Sequence, residues 1–316
     1  MSECVPIILD VDTGTDDALA LAYAVASPGI EIVAVTTVAG NVDVTKTTAN
    51  TLSVLDWLGA GDVPVHRGAS RPLVRPHQDA SYFHDEGGLG GAQLPTSTRS
   101  VGADRGPAAL IRLARQRPGE LTLVALGPLT NLAIALNVEP ELPQLLKSVV
   151  VMGGAYTVPG NTTLAAEFNI LVDPEAADQV FTAPFPNLTA VGLDVTAQVA
   201  LTRDDWEAVN AASSLARTAG LLGEVGRSAF SKLGRDQFSL HDPLSVAAAI
   251  DPTLISVQEL AISVDTAEPE LGRTRIAGPG TVSVALSVDA ERALEDFRWT
   301  VGLPTARAQG LQSGLG

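Results

Sequence analysis

The stretch Asp10-Val-Asp12-Thr-Gly-Thr-Asp16-Asp17 places four carboxylates within eight residues, and its flanks decide how the chain folds. The residues before it, Val5-Pro-Ile-Ile-Leu9, are continuously apolar, as in a strand covered on both faces of a parallel sheet. The residues after it, Ala18 to Ala26, are rich in helix formers and stop at Ser27-Pro28-Gly29. The acids therefore fall at the carboxyl end of the first strand, the edge where open α/β sheets bind ligands. Charges of one sign so crowded are costly unless a cation or a shared proton offsets them. Oxygen donors with no sulfur nearby favour Ca²⁺ or Mg²⁺ over Zn²⁺. Asp16 or Asp17 also fits a plain helix-capping role; Asp10 and Asp12, at the strand end, do not.

Alternation of strand-like and helix-like segments carries this reading along the chain. Apolar runs predict strands at Val5–Leu9, Glu31–Val38, Leu121–Leu126, Ser148–Met152, Asn187–Leu193, Ile255–Val264 and Thr281–Val288. Helices are expected at Asp17–Ala26, Val44–Leu58, Gly106–Gln116, Pro128–Leu136, Pro174–Thr182, Pro243–Ile250 and Asp289–Val301. The expected fold class is α/β, an open and mostly parallel sheet flanked by helices. No linker or repeat divides the chain, so residues 1–316 are expected to form one domain. Two aperiodic stretches, Arg67–Ser100 and Gly153–Asn169, read as functional loops.

Bulk composition narrows the partners. A formal charge of −16 argues against nucleic acid, which needs a basic surface. A hydrophobic content of 46% gives ample core. The lone Cys4 excludes an internal disulfide and a thiolate metal cage. With no apolar run long enough for a bilayer and no leader-like N-terminus, the expectation is a cytoplasmic protein without a membrane partner.

Further chemistry lies in segments that follow strands. Gly40-Asn41 is either a turn or an amide facing the same cleft. Leu126-Gly127-Pro128 is a strand-to-helix turn whose carbonyls can ligate a hard cation. Gly160-Asn161 and Glu167-Phe168-Asn169 set two amides and an acid around a ring, suited to sugar hydroxyls and a base, or to Asx turns. In His241-Asp242-Pro243 the acid is a helix cap or a metal ligand, with a proton donor beside it. His84 sits in a Gly-rich loop able to close over a ligand, whereas His66 and His77 read as surface or core residues.

These segments together resemble the inosine–uridine-preferring nucleoside hydrolases, the calcium-dependent nucleoside N-ribohydrolases, in order and spacing from residue 5 to about 250. The resemblance implies an open, Rossmann-like sheet and hydrolysis of ribonucleosides to free base and ribose. It implies Ca²⁺ held by the carboxylates of Asp12, Asp17 and Asp242 and the carbonyl of Leu126, where many members carry threonine. Asp16 would be the general base and Asp10 an acid orienting the site from behind. Asn41, Met152, Asn161, Glu167 and Asn169 would hold the ribose, with Phe168 and His84 near the substrate and His241 donating a proton to the base. Many relatives have proline where Thr13 stands, a change expected to be tolerated. A homodimer or homotetramer is expected. Relatives often place tyrosines in Thr218–Leu240, where this chain offers Phe230 and Phe238, so the preference between purines and pyrimidines stays open.

Two other readings compete. An Asp-x-Asp after a buried strand also starts haloacid-dehalogenase-like phosphatases, with Asp10 as nucleophile, although no lysine follows a strand to bind phosphate. A non-catalytic nucleoside- or ribose-binding relative would keep the sugar contacts but need no general base at Asp16.

Overall fold

The computed structural model describes residues 4–79, 86–211, 217–227, 230 and 236–303. Its strands are β1 (Val5–Val11), β2 (Ile30–Thr37), β3 (Val65–Arg67), β4 (Thr122–Ala125), β5 (Ser148–Met152) and β6 (Leu188–Val191). They continue with β7 (Ala200–Thr202), β8 (Gln237–Ser239), β9 (Ile255–Val264), β10 (Thr274–Pro279) and β11 (Val282–Val288). Nine of them form one sheet in the order β10-β9-β11-β6-β5-β4-β1-β2-β3, and β7 pairs with β8 as a separate ribbon. From β3 to β6 every pairing is parallel, β11 joins β6 in parallel, and only β9 runs against its neighbours. The mostly parallel α/β sheet expected from the sequence is the one observed.

Strand order places the crevice. The chain winds outward one way through β2 and β3, then returns to the other side of β1 and winds away through β4, β5 and β6. The carboxyl ends of β1 and β4 are therefore a topological switch point, where the following loops diverge and leave room for a ligand. Asp10 pairs with Thr36 of β2 and with Ala125 of β4, so the acidic stretch opens directly onto that crevice.

The continuous apolar runs of the central strands are explained by helices on both faces. Ile7, Leu9 and Val11 pack into one buried cluster with Val124 and Met152, under helices Thr15–Ala26, Val44–Leu58, His241–Ile250 and Ala290–Val301. Ile8, Leu123, Ala125 and Val151 point the other way, beneath Gly106–Gln116, Thr130–Val138 and Pro174–Thr182. Alternation along each strand assigns one residue to each layer. No helix among the described residues is long and apolar enough to cross a membrane.

Differences from the sequence reading cluster where elements are short. β3, β7 and β8 have three residues each, too few for a period to register. β10 carries Gly278 and Pro279, tolerated because it pairs only with β9 at the sheet edge. The helix expected at Pro243 begins at His241, which puts Asp242 inside the first turn instead of at its cap. The aperiodic loop Gly153–Asn169 ends in a short helix, Phe168–Val172.

Leu123 has no solvent exposure and lies mid-strand between β1 and β5. Leu123→Ala should destabilise the fold by about 2–5 kcal/mol through lost burial and an unfilled cavity. The check is a urea titration, in which the midpoint falls while the slope is unchanged.

Candidate active site

Asp12, Thr13 and Gly14 form the tight turn between β1 and helix Thr15–Ala26, and Asp17 stitches that turn together. Its Oδ1 accepts the Asp12 N–H at 3.2 Å and its Oδ2 accepts the Gly14 N–H at 2.9 Å. The Asn41 side-chain amide adds a third bond to Oδ2 at 3.2 Å. Asp17 thus does cap the helix, as the plainer reading held, and the same carboxylate also faces the cluster below. The Asn41 backbone N–H donates to Asp12 Oδ2 at 2.7 Å, so the loop after β2 grips both acids.

Asp16, Asp17 and Asp242 each offer an oxygen within 4.8 Å of the others, a grouping that could hold a metal ion. Asp242 arrives from the first turn of helix His241–Ile250, which packs against helix Thr15–Ala26. Asp12 lies beside this trio, walled in by backbone. A Cβ on Gly40 would stand 2.1 Å from Asp12 Oδ2, and one on Gly127 would stand 2.7 Å from Oδ1. Only glycine at both positions leaves that carboxylate its room.

Electrostatics make the cluster unstable as four free anions. Burial, with repulsion from Asp17 next, raises the Asp16 carboxyl to about 7. Burial raises Asp17 to about 6 despite its N–H donors. Asp12 and Asp242 are pushed well above the usual carboxylate range by burial and then by their acidic neighbours. The chemistry of this donor set fits a hard divalent cation, whose charge would offset the repulsion and whose shell takes oxygen ligands. Asp16 alone among these acids is partly exposed.

Asp10 lies behind them, fully buried. Its Oδ1 accepts the Thr36 hydroxyl and the Asn131 amide, the latter at 2.7 Å, while Oδ2 has no partner. Burial raises its carboxyl to about 7. A residue sealed under the turn cannot attack a phosphoester, which removes the phosphatase alternative. Asn131 also donates to the Thr37 carbonyl at 3.0 Å, tying helix Thr130–Val138 to the ends of β1 and β2.

The second wall comes from the loop after β5. Glu167 caps helix Phe168–Val172 by accepting the N–H groups of Asn169 at 2.9 Å and Ile170 at 3.2 Å, and it accepts the Gly154 N–H at 3.1 Å. Burial raises its carboxyl. The Asn169 amide donates to the Leu126 carbonyl at 2.7 Å and to the Met152 carbonyl at 3.2 Å, which brings Leu126, Met152, Glu167 and Asn169 together. Asn161 is exposed and its Oδ1 accepts the Phe168 N–H at 3.0 Å, with Phe168 half-buried.

Two histidines complete the surroundings. His241 is half-buried with Nδ1 2.8 Å from Thr196 Oγ1, and burial pushes its imidazole down to about 4. At neutral pH the ring is uncharged and offers a neutral N–H. His77, read as an ordinary surface or core residue, reaches the Gly40 carbonyl with Nε2 at 2.8 Å; nothing in its local sequence signals this. His66 is a buried residue bonded to the Asp104 carbonyl. His84 lies outside the described residues. Phe230 and Phe238 are buried, Phe230 stacking on Trp206 with centroids 5.9 Å apart, so both serve the core.

Known proteins are similar to this chain along most of its length. The sequence model of the inosine-uridine preferring nucleoside hydrolases matches residues 7–295. A probable uridine nucleosidase 2 of Arabidopsis thaliana is 36% identical over 306 residues, 90% of this chain and 93% of the relative. The non-specific ribonucleoside hydrolase RihC of Salmonella enteritidis is 38% identical over 298 residues, 92% of this chain and 95% of the relative. The solved purine-preferring ribonucleoside hydrolase of Gardnerella vaginalis superposes with a TM-score of 0.86 at 33% identity, covering 94% of this chain and 98% of that one. With the fold, the acidic crevice and these likenesses together, the chain belongs to the inosine-uridine preferring nucleoside hydrolase family.

Proposed function

We propose that Asp16 is the general base in the hydrolysis of ribonucleoside N-glycosidic bonds, the reaction of this enzyme and its family. The observation that carries this reading is geometric: Asp16, the one partly exposed acid of the cluster, offers an oxygen within 4.8 Å of those of Asp17 and Asp242 at the switch point. A carboxylate that reaches the crevice can take a proton from an attacking water. Neighbouring acids, already stabilised by backbone N–H groups, favour positive charge developing at C1′ of the ribose.

Asp12, Asp17, Asp242 and the Leu126 carbonyl would hold a Ca²⁺ ion. When bound, it supplies the charge that keeps these acids ionised, with oxygen-seeking positions that suit a vicinal diol and a water. Asn41, Met152, Asn161, Glu167 and Asn169 line the ribose side, where their amides and carboxylate can pair with the 2′- and 3′-hydroxyls. Fixing the sugar against Asp16 converts attack by water into a step between positioned partners. His241, a half-buried neutral imidazole, serves the leaving base from its N–H by hydrogen bonding to the nitrogen that gains charge.

Asp16→Asn should lower kcat by about two to four orders of magnitude while a ribose-containing ligand still binds in calorimetry; normal turnover would refute the base role. Stripping divalent ions should abolish activity, and Ca²⁺ should restore it better than Mg²⁺. Activity indifferent to a strong chelator, or equal recovery with Mg²⁺, would remove the Ca²⁺ assignment. His241→Ala should slow a purine ribonucleoside far more than p-nitrophenyl riboside, whose leaving group needs no donor. Equal losses on the two would exclude that role.

A further inference from the structure

Helix Leu193–Thr196 is a single turn just past β6, and the chemistry described so far gives it no part. Both of its polar side chains are buried and reach away from it. Asp194 accepts the N–H of Tyr156 at 2.8 Å and of Thr157 at 2.7 Å, holding the segment that follows Met152. Thr196, with no solvent exposure, places Oγ1 2.8 Å from His241 Nδ1. Backbone pairing brings these two residues together independently of their side chains. Ala200 of β7 pairs with Ser239 of β8, and the Leu240 N–H donates to the Val199 carbonyl at 2.8 Å.

The sense of the Thr196–His241 bond follows from the supply of acceptors. A buried hydroxyl needs a place for its hydrogen. Among the described residues, the Thr196 hydroxyl has His241 Nδ1 as its partner and no other. The hydroxyl therefore donates, Nδ1 accepts, and the ring proton sits on Nε2. Among the described residues only Nδ1 of the ring has a protein hydrogen-bond partner.

We propose that Thr196 is a positioning residue for this hydrolysis, its hydroxyl holding the His241 ring in the Nε2–H form and at the angle that presents that proton to the departing base. The proposal rests on the reading of His241 as the group that serves the base. A threonine that only fills a polar hole would affect every substrate alike. One that orients a donor affects only substrates whose leaving group needs the donor.

The test pairs kinetics with a direct readout of the tautomer. Thr196→Val, which keeps the shape and removes the hydroxyl, should lower kcat/KM for a purine ribonucleoside roughly tenfold, the worth of one hydrogen bond. Turnover of p-nitrophenyl riboside should fall at most about twofold, and Thr196→Ser should recover most of the purine activity. Equal losses on both substrates, or none on either, would overturn the proposal. Histidine ¹⁵N NMR of the unaltered enzyme, assigned with His241→Ala, should report the Nε2–H form at neutral pH, and an Nδ1–H form overturns it without any variant at Thr196. If His241→Ala itself slows both substrates equally, the reading of His241 has failed, and this proposal with it. A selective His241→Ala beside an unselective Thr196→Val would reject Thr196 alone.

Discussion

Removing Asp10, Asp12, Asp17 and Asp242 almost entirely from water at one strand end is the constraint around which the rest of this chain is organised. Each carboxylate loses hydration, which raises its proton affinity, and for Asp10, Asp12 and Asp242 repulsion from acidic neighbours acts in the same direction. Partial compensation is built from the backbone. The N–H groups of Asp12, Gly14 and Asn41 all donate to acidic oxygens in the turn, and the helix beginning at Thr15 adds the favourable end of its dipole. What the backbone leaves uncompensated is the driving force for cation binding.

The supporting residues follow from that need. Gly40 and Gly127 are required because any side chain there would occupy the space of the Asp12 carboxylate. Thr36 and Asn131 hold Asp10 from opposite neighbouring elements, fixing the strand end from which the acidic turn departs. Asn169 spans the Leu126 and Met152 carbonyls, so the ends of β4 and β5 are tied to the short helix that Glu167 caps. Polar groups buried in such a network are stabilising only while every partner is in place, which accounts for the long reach of the network through the sheet edge.

The one-turn helix after β6 extends the same logic to His241. Asp194 restrains the segment that follows Met152 and Thr196 restrains His241. Two faces of the crevice are thereby referenced to a single rigid turn.

Much of this was legible in the residues themselves. The apolar run Val5–Leu9, the acids after it and the helix formers that follow fix a strand, a carboxyl-edge turn and a helix, because periodicity and local propensity need no distant partner. Boundaries such as Val44–Leu58 and Ser148–Met152 were readable for the same reason. Tertiary structure alone decided the rest. Whether Asp242 meets Asp16 and Asp17 depends on how a helix more than two hundred residues later packs against the first. That Phe230 and Phe238 are spent on the core, that His77 reaches Gly40, and that Thr196 faces His241 are contacts between remote segments. Such contacts leave no period in the sequence, since strand order and helix packing, not neighbouring residues, bring the atoms together.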